Sequence, residues 1–402
     1  MVTASAAGAP RIAIVGGGIG GLAAAAFLHR AGLPCAVYEQ APELTEVGAG
    51  LVAAPNAVRL LRRLGVLDRF LDRAVTLEVG WEFRRWEDGR VLSAEDLAGS
   101  CERLYGENTY TLHRADLLEA VACAVPPGTI HLGKRCTAVK IRADRAVLTF
   151  ADASQAEAAV VIGADGMHSV VRAAVTQPSP PAYSGLCAFR ALVPAERAPG
   201  FARRRAQTLW LGPGHHLVHY PISGQRAINL VAFAPAGEFT VESWSATGTT
   251  EEFLAEFAGW DPRLRDLIQA AGTPGRWALL DRAPLAHWTR GPVALLGDAA
   301  HPMFPFFAQG AAQSIEDAAV LATCLAADTE HPARALRRYE SLRIARTTRI
   351  QQVSHDRARI NHLPDGPRQR ARDASLAAAD PLVANEWIYG YDPAAAEAAT
   401  AG

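Results

Sequence analysis

The sequence predicts an α/β fold: strand–loop–helix units with an inserted mixed β-sheet and helices at the C-terminal end. Three observations predict it. Arg11-Ile-Ala-Ile-Val15 runs into Gly16-Gly-Gly-Ile-Gly-Gly21 and an apolar helical stretch, Leu22 to Arg30. A second strand, Ala159-Val-Val-Ile162, ends in Gly163-Ala-Asp-Gly166. A third, Pro292-Val-Ala-Leu-Leu296, ends in Gly297-Asp-Ala-Ala-His-Pro302 and reaches a helix near Gly310. Apolar strands that feed helices through short loops are the signature of such a core.

The first unit is the most specific. Gly16, Gly18 and Gly21 form GxGxxG directly after a strand. The first glycine permits the tight turn, and the second lets the backbone approach a pyrophosphate. The third packs the helix against the strand. A following strand, Cys35-Ala-Val-Tyr38, ends at Glu39, 18 residues past Gly21. An acid there accepts ribose hydroxyls and disfavours a 2′-phosphate, so a dinucleotide other than NADP is expected. In the third unit, Asp298 sits just beyond its strand, and the helix N-terminus at Gly310 offers free N–H groups and a positive dipole end.

Composition sets outer bounds. Lys+Arg 40 against Asp+Glu 41 leaves a net charge of −1 in 402 residues, so no global field favours nucleic acid or an anionic membrane. Cys35, Cys101, Cys123, Cys136, Cys187 and Cys324 are scattered with no CxxC pair. No metal site or disulfide scaffold is therefore expected, and a reducing cytoplasm fits. Met1 to Pro10 lacks the basic start of a signal peptide. The apolar run Ile12 to Leu28 is broken by five glycines and does not read as a membrane span.

Taken in order, GxGxxG, Gly163-Ala-Asp-Gly-Met-His-Ser-Val-Val-Arg172 and GDAAHP resemble the class A single-component FAD-dependent aromatic hydroxylases. Gly48-Ala-Gly-Leu51, Leu112-His-Arg-Ala-Asp-Leu117, Ala188-Phe-Arg190 and Glu386-Trp-Ile-Tyr-Gly-Tyr-Asp392 support this. The chain is most similar to the branch of salicylate hydroxylase, 3-hydroxybenzoate 6-hydroxylase and 6-hydroxynicotinate 3-monooxygenase. The resemblance implies a Rossmann-like FAD-binding domain of the glutathione-reductase type. It implies hydroxylation of a small phenolic or heteroaromatic acid with NADH or NADPH and O2, through a flavin hydroperoxide. Alternatives are a flavin epoxidase or hydroxylase of a larger natural product, and a non-catalytic flavin-binding sensor. A homodimer is compatible with the family. By the same resemblance Glu39 holds the adenosine ribose, Arg114 approaches the FAD phosphates and Asp165 belongs to the cofactor loop. Asp298 takes the ribityl–pyrophosphate end; Gln309, Gly310 and Ala311 face the flavin ring. Val52, Gln313 and Ser314 depart from the residues common in relatives.

The FAD-binding domain is expected at 7–75, 101–180 and 275–361. The substrate domain takes 76–100 and 181–274, and 362–402 form a C-terminal segment, loosely packed at its end. Period-2 alternation predicts strands at Thr76–Val91, Cys187–Val193, Gln207–Leu211, His215–Ile222 and Ala227–Phe233. Ala333 to Ile360 reads as a long Arg-rich helix with a solvated face.

In the strand His215 to Ile222, side chains alternate, so His216, Val218 and Tyr220 share one face and His219 the other. His216 and Tyr220 are the candidates to deprotonate and hold a phenol. Arg190 is the candidate partner for a substrate carboxylate. His301 stands near the flavin, as chemistry or as support. Pro305, Phe306 and Phe307 would wall the ring.

Overall fold

The computed structural model describes residues 11–44, 49–177, 179–236 and 247–395. Gly48, residues 7–10 of the expected first domain segment and the tail beyond 395 lie outside these.

Six strands make the first sheet, in the order Thr289–Arg290, Val293–Leu295, Val160–Gly163, Ile12–Val15, Cys35–Tyr38, Ile130–His131. All neighbours are parallel except the Thr289–Arg290 edge. Ile12–Val15 and Val160–Gly163 are buried along their whole length, which is why they read as unbroken apolar runs. The three motif loops therefore follow three adjacent parallel strands and gather at one sheet edge, where such folds bind ligands. The helix after GxGxxG spans Ile19–Arg30, three residues earlier than the sequence predicts. Gly18, in extended conformation, caps it, so Gly20 and Gly21 lie in its first turn. A Cβ on Gly21 would sit 2.0 Å from the Gly16 carbonyl oxygen, so only glycine lets this turn lie on the loop.

The second sheet has seven strands: Gly275–Asp281, Ala182–Pro194, Ala227–Pro235, His215–Ile222, Ala206–Gly212, Val79–Arg85, Val91–Asp96. Ala206–Gly212 pairs parallel with Val79–Arg85 and the other pairs are antiparallel, so the sheet is mixed as expected. Gly275–Asp281 belongs to this sheet, although the motif spacing had put it with the cofactor domain. One face packs under helices Thr250–Glu256 and Pro262–Ala270, through Phe189, Trp210, Leu217 and Leu230 against Phe253, Phe257 and Leu267. The other face meets the loop after GDAAHP, through Ala188, Val231 and Phe233 against Phe304 and Phe306.

On the C-terminal side the described part of the tail packs closely: helices Pro367–Ala378, Pro381–Ala384 and Glu386–Tyr389 dock, and Ile388 and Tyr389 join a core with Trp81, Phe83 and Phe307. Its aromatic residues bury enough apolar area to fix a segment whose Ala/Asp/Pro composition suggests otherwise. The long helix, Pro332–Asn361, has the expected solvated face, with Arg334, Arg337, Arg338 and Arg349 exposed, but one arginine leaves it. Arg343 is fully buried between Glu316 and Asp317, at 2.7 Å from each, because those acids lie one helix away and 26 or more residues back in sequence.

Candidate active site

The glycine loop forms an open cradle. A Cβ on Gly18 would meet nothing within 4 Å, and the same holds at Gly310. Each glycine stands at a helix N-terminus, so the space beside it faces unpaired N–H groups and a positive dipole end. Among the described residues the amides of Gly310 and Ala311 donate to no partner. Glu39 lies against the loop: Gly17 N–H donates to Oε2 (2.5 Å) and Ala41 N–H to Oε1 (2.8 Å). A carboxylate has about four acceptor sites, so ribose hydroxyls can share it. Asp298 is exposed in the turn Gly297–Ala299, free to meet a ligand. Arg114 opens the helix Arg114–Ala122, and its N–H donates to Ala49 (2.9 Å).

Two predicted cofactor residues, Asp165 and Gln309, make side-chain bonds within the frame. Asp165 accepts from the amides of Val170 (2.7 Å) and Val171 (3.2 Å) and from the Ser169 hydroxyl, closing its own loop. Arg172, at the motif's end, donates from Nε to Ala299 O (2.8 Å) and from Nη2 to Asp298 O (3.2 Å). The second motif thus holds the third in place. Gln309 turns its side chain inward, where Oε1 accepts from Asn56 (3.0 Å) and Gln313 (3.1 Å).

His301 also points away from the substrate face. It is 1 % exposed and donates from Nε2 to Asp317 Oδ2 (2.6 Å). Asp317 further accepts from Gly297 N–H (3.0 Å) and Arg343 Nε (2.7 Å). Burial alone would raise the Asp317 carboxyl; the charges of His301 and Arg343 overcome it and hold it at about 2. Glu316 accepts from Asn56, Gln313, Arg343 and Arg346. Gln313 completes the network by accepting from Arg343 Nη2 (2.7 Å). Ser314 bonds to Gly310 O (3.0 Å), and its Oγ would lie 2.6 Å from a Cβ on Gly297. Two of the three departures from the family pattern are thereby accounted for: Gln313 joins a buried polar network and Ser314 fills the contact at Gly297.

The substrate face is the inner face of the second sheet. His216 pairs across the sheet with Phe233, and Tyr220 with Asn229. His216 stacks on Phe233 (4.6 Å between ring centres) and meets Phe306 edge-on (4.9 Å). His219 lies on the opposite face, taking the Trp210 indole N–H at 3.2 Å and touching Phe201. Alternation separates the two histidines as predicted. Tyr220 is 6 % exposed, and its hydroxyl has no hydrogen-bond partner among the described residues. Burial raises the Tyr220 phenol, partly offset by Arg190, so it stays a neutral donor. Burial also drives His216 well below the usual histidine range, aided by His362 and His215.

Arg190 is half-buried in the next strand but one and lies over the Trp277 ring at 4.6 Å. Burial pulls its guanidinium down to about 10; Tyr220 opposes that shift and Arg114 adds to it. Arg190 is thus near enough to interact with both Tyr220 and Arg114. Of the expected ring wall, Phe306 packs with Phe304 against Val231 and Phe233 of this face, whereas Phe307 packs against Trp81 in a neighbouring core and Pro305 is exposed.

Sequence reasoning missed Gln207 and Asn229. Gln207 is 4 % exposed and Asn229 1 %. Asn229 accepts from Gly50 N–H at 2.7 Å, while its Nδ2 has no partner. Each is a polar residue inside an apolar strand, on the same face as Tyr220, which was the available signal. A small cavity of about 10 Å³ lies nearby, lined by Val52, Ala54, Trp81, Phe307, Gln309 and Tyr389 among others, and His216 is not in its wall.

Comparison with known proteins agrees with this geometry. The family model described as FAD binding domain matches residues 10–354. The chain is 44% identical over 385 residues to 3-amino-4-hydroxybenzoate 2-monooxygenase PtnB3 of Streptomyces platensis, covering 96% of this chain and 97% of that one. It is 39% identical over 390 residues to 6-hydroxynicotinate 3-monooxygenase of Bordetella bronchiseptica, covering 96% of each. A solved salicylate hydroxylase substrate complex superposes with a TM-score of 0.81 at 28% identity, over 96% of this chain and 97% of that one.

Proposed function

The chain belongs to the FAD binding domain family, and from that premise we propose that this flavoprotein monooxygenase hydroxylates a small aminophenol carboxylic acid of the 3-amino-4-hydroxybenzoate class. NADH or NADPH and O2 are its co-substrates. The observation that carries the reading is the inner sheet face. There His216 and Tyr220, four residues apart on one face of one strand, present polar atoms, His216 against Phe233 and Phe306. The 44% identity to an aminohydroxybenzoate monooxygenase supports that substrate class over hydroxypyridines.

The cradle fits FAD: open space at Gly18 and Gly310, two free helix N-termini, Glu39 for a ribose and exposed Asp298. When bound and reduced, FAD supplies an electrophilic oxygen from O2. The chain's own residues do the rest. His216 takes the proton of the substrate hydroxyl at Nε2, which raises electron density on the ring carbon beside it. Tyr220 donates to the resulting phenolate, and Arg190 pairs with the carboxylate. Phe304 and Phe306 hold the ring and keep water out.

The test is O2 uptake and NAD(P)H oxidation with FAD and a panel: 3-amino-4-hydroxybenzoate, 3- and 4-hydroxybenzoate, salicylate and 6-hydroxynicotinate. The aminophenol acid should stimulate oxidation most and give a product one oxygen heavier. Preference for 6-hydroxynicotinate would overturn the substrate class. A yellow protein that no acid stimulates would be a sensor instead.

A further inference from the structure

His362 lies at the end of the long helix, 146 residues from His216, yet its Nε2 is 2.6 Å from His216 Nδ1. The rings are 4.8 Å apart, and both sit against Phe306, at 4.9 Å for His216 and 6.2 Å for His362. The His362 carbonyl accepts from Gly214 N–H (3.1 Å), which ties the helix end to the turn before the strand. His216 is 1 % exposed, whereas His362 is half-buried. The pair therefore runs from the closed substrate face toward solvent. His216 Nε2 has no partner among the described residues, so one nitrogen of His216 faces His362 and the other remains for a ligand.

We propose that His362 is the outer member of a two-imidazole relay that carries the substrate's hydroxyl proton from His216 to water. This rests on the reading of His216 as the group that takes that proton.

The relay solves a problem that burial creates. Burial pushes both imidazoles down, His216 well below its usual range with repulsion from His362 and His215, and His362 to about 4 with repulsion from His215. His215 is the other titratable group whose charge bears on both, and it is itself 3.0 Å from Glu256. A lone His216 would have to store the proton as a buried cation, which is costly. A neutral pair this close holds one hydrogen between its facing nitrogens. With that hydrogen on His216 Nδ1, the transfer balances without a stored charge. The substrate O–H bond breaks and an N–H bond forms at His216 Nε2. The Nδ1–H bond of His216 breaks and one forms at His362 Nε2. The proton on His362 Nδ1 leaves to water. Both rings end neutral in the opposite tautomer, and return of a proton after the ring rearomatises resets them.

The test uses the FAD holoenzyme and 4-hydroxy-3-nitrobenzoate, a phenolic acid whose ionisation is visible. After a stopped-flow pH jump, the bound phenol should ionise roughly a hundredfold more slowly in His362→Ala than in the wild type. Probe affinity, flavin content and the equilibrium pKa of the bound phenol should hold. His362→Gln accepts a hydrogen bond from His216 but cannot pass a proton, so it should be as slow as the alanine variant. Added imidazole should restore the alanine variant in part. A glutamine variant at wild-type rate would reduce His362 to an orienting contact and overturn the relay. His216→Gln separates the two readings. If it ionises the probe at the wild-type rate, the role of His216 itself fails. If it is slow while both His362 variants are fast, only the relay fails.

Discussion

Tyr220 shows how little of a residue's environment a strand pattern must reveal for its role to be read. Alternation placed it beside His216, and burial with an unpaired hydroxyl then marked it as awaiting a ligand. Tyr220→Phe removes that hydroxyl from a site where it bonds to no described residue. The apo protein should therefore melt within about 1 °C of wild type, since no native hydrogen bond is lost. The kcat of the aminophenol acid should fall roughly tenfold or more, with KM changed less, because a donor to the phenolate acts mainly after deprotonation. A variant with unchanged kcat and raised KM would make Tyr220 a binding contact only. His301 was not legible in this way. Its partner Asp317 lies on the following helix and Arg343 on the one after, so nothing local distinguished a ligand-facing histidine from a buried structural one.

At the scale of elements, the helices Gly310–Ala327 and Pro332–Asn361 are joined by charge in a dry interface. Arg343, Glu316 and Asp317 are each fully buried, with Arg346 at the rim. The same acids reach His301, Asn56 and the Gly297 amide, so the network fixes the third motif loop relative to the helix that begins at Gly310. An arginine-rich helix composition cannot show this, because the pairing depends on which face meets which neighbour. Arg343→Met would take a buried cationic partner from both carboxylates, leaving His301 on Asp317 and Arg346 on Glu316, and costing about 3–5 kcal/mol at neutral pH. The sign with pH follows. In the wild type both carboxyls are held low, so their stabilisation is present above the usual carboxylate range and is lost as pH falls toward about 2 for Asp317. In the variant burial dominates and raises them, so its deficit should shrink as acid neutralises them. Urea unfolding at pH 7.5 and pH 5 measures both. A deficit that is equal at the two pH values would mean that lost packing, not charge, is responsible.

Across the whole molecule, the legible part was the part that repeats a local rule. Strand, glycine turn and helix recur where they were expected, and His215–Ile222 matches at both ends. The illegible part depends on distant pairing: the seven-stranded order, the docking of Glu386–Tyr389 and the union of His216 with His362. FAD would span this division, because its cradle comes from three chain segments centred on Gly18, Glu39 and Gly310. Ligand at a hundred times Kd should stabilise the fold by about 2.7 kcal/mol, raising Tm by several degrees. Two glycines separate cradle from frame. Gly18 is at φ −72 with open space around its missing Cβ, so Gly18→Val should leave the apo Tm near wild type while abolishing the FAD-induced rise. At Gly21 a Cβ would strike backbone at 2.0 Å, so Gly21→Ala should lower the apo Tm itself. A Gly18→Val protein with the full FAD shift would show that the pyrophosphate does not pass over this loop. The assignment of the first motif would then have to be withdrawn, although the sheet that carries it would stand.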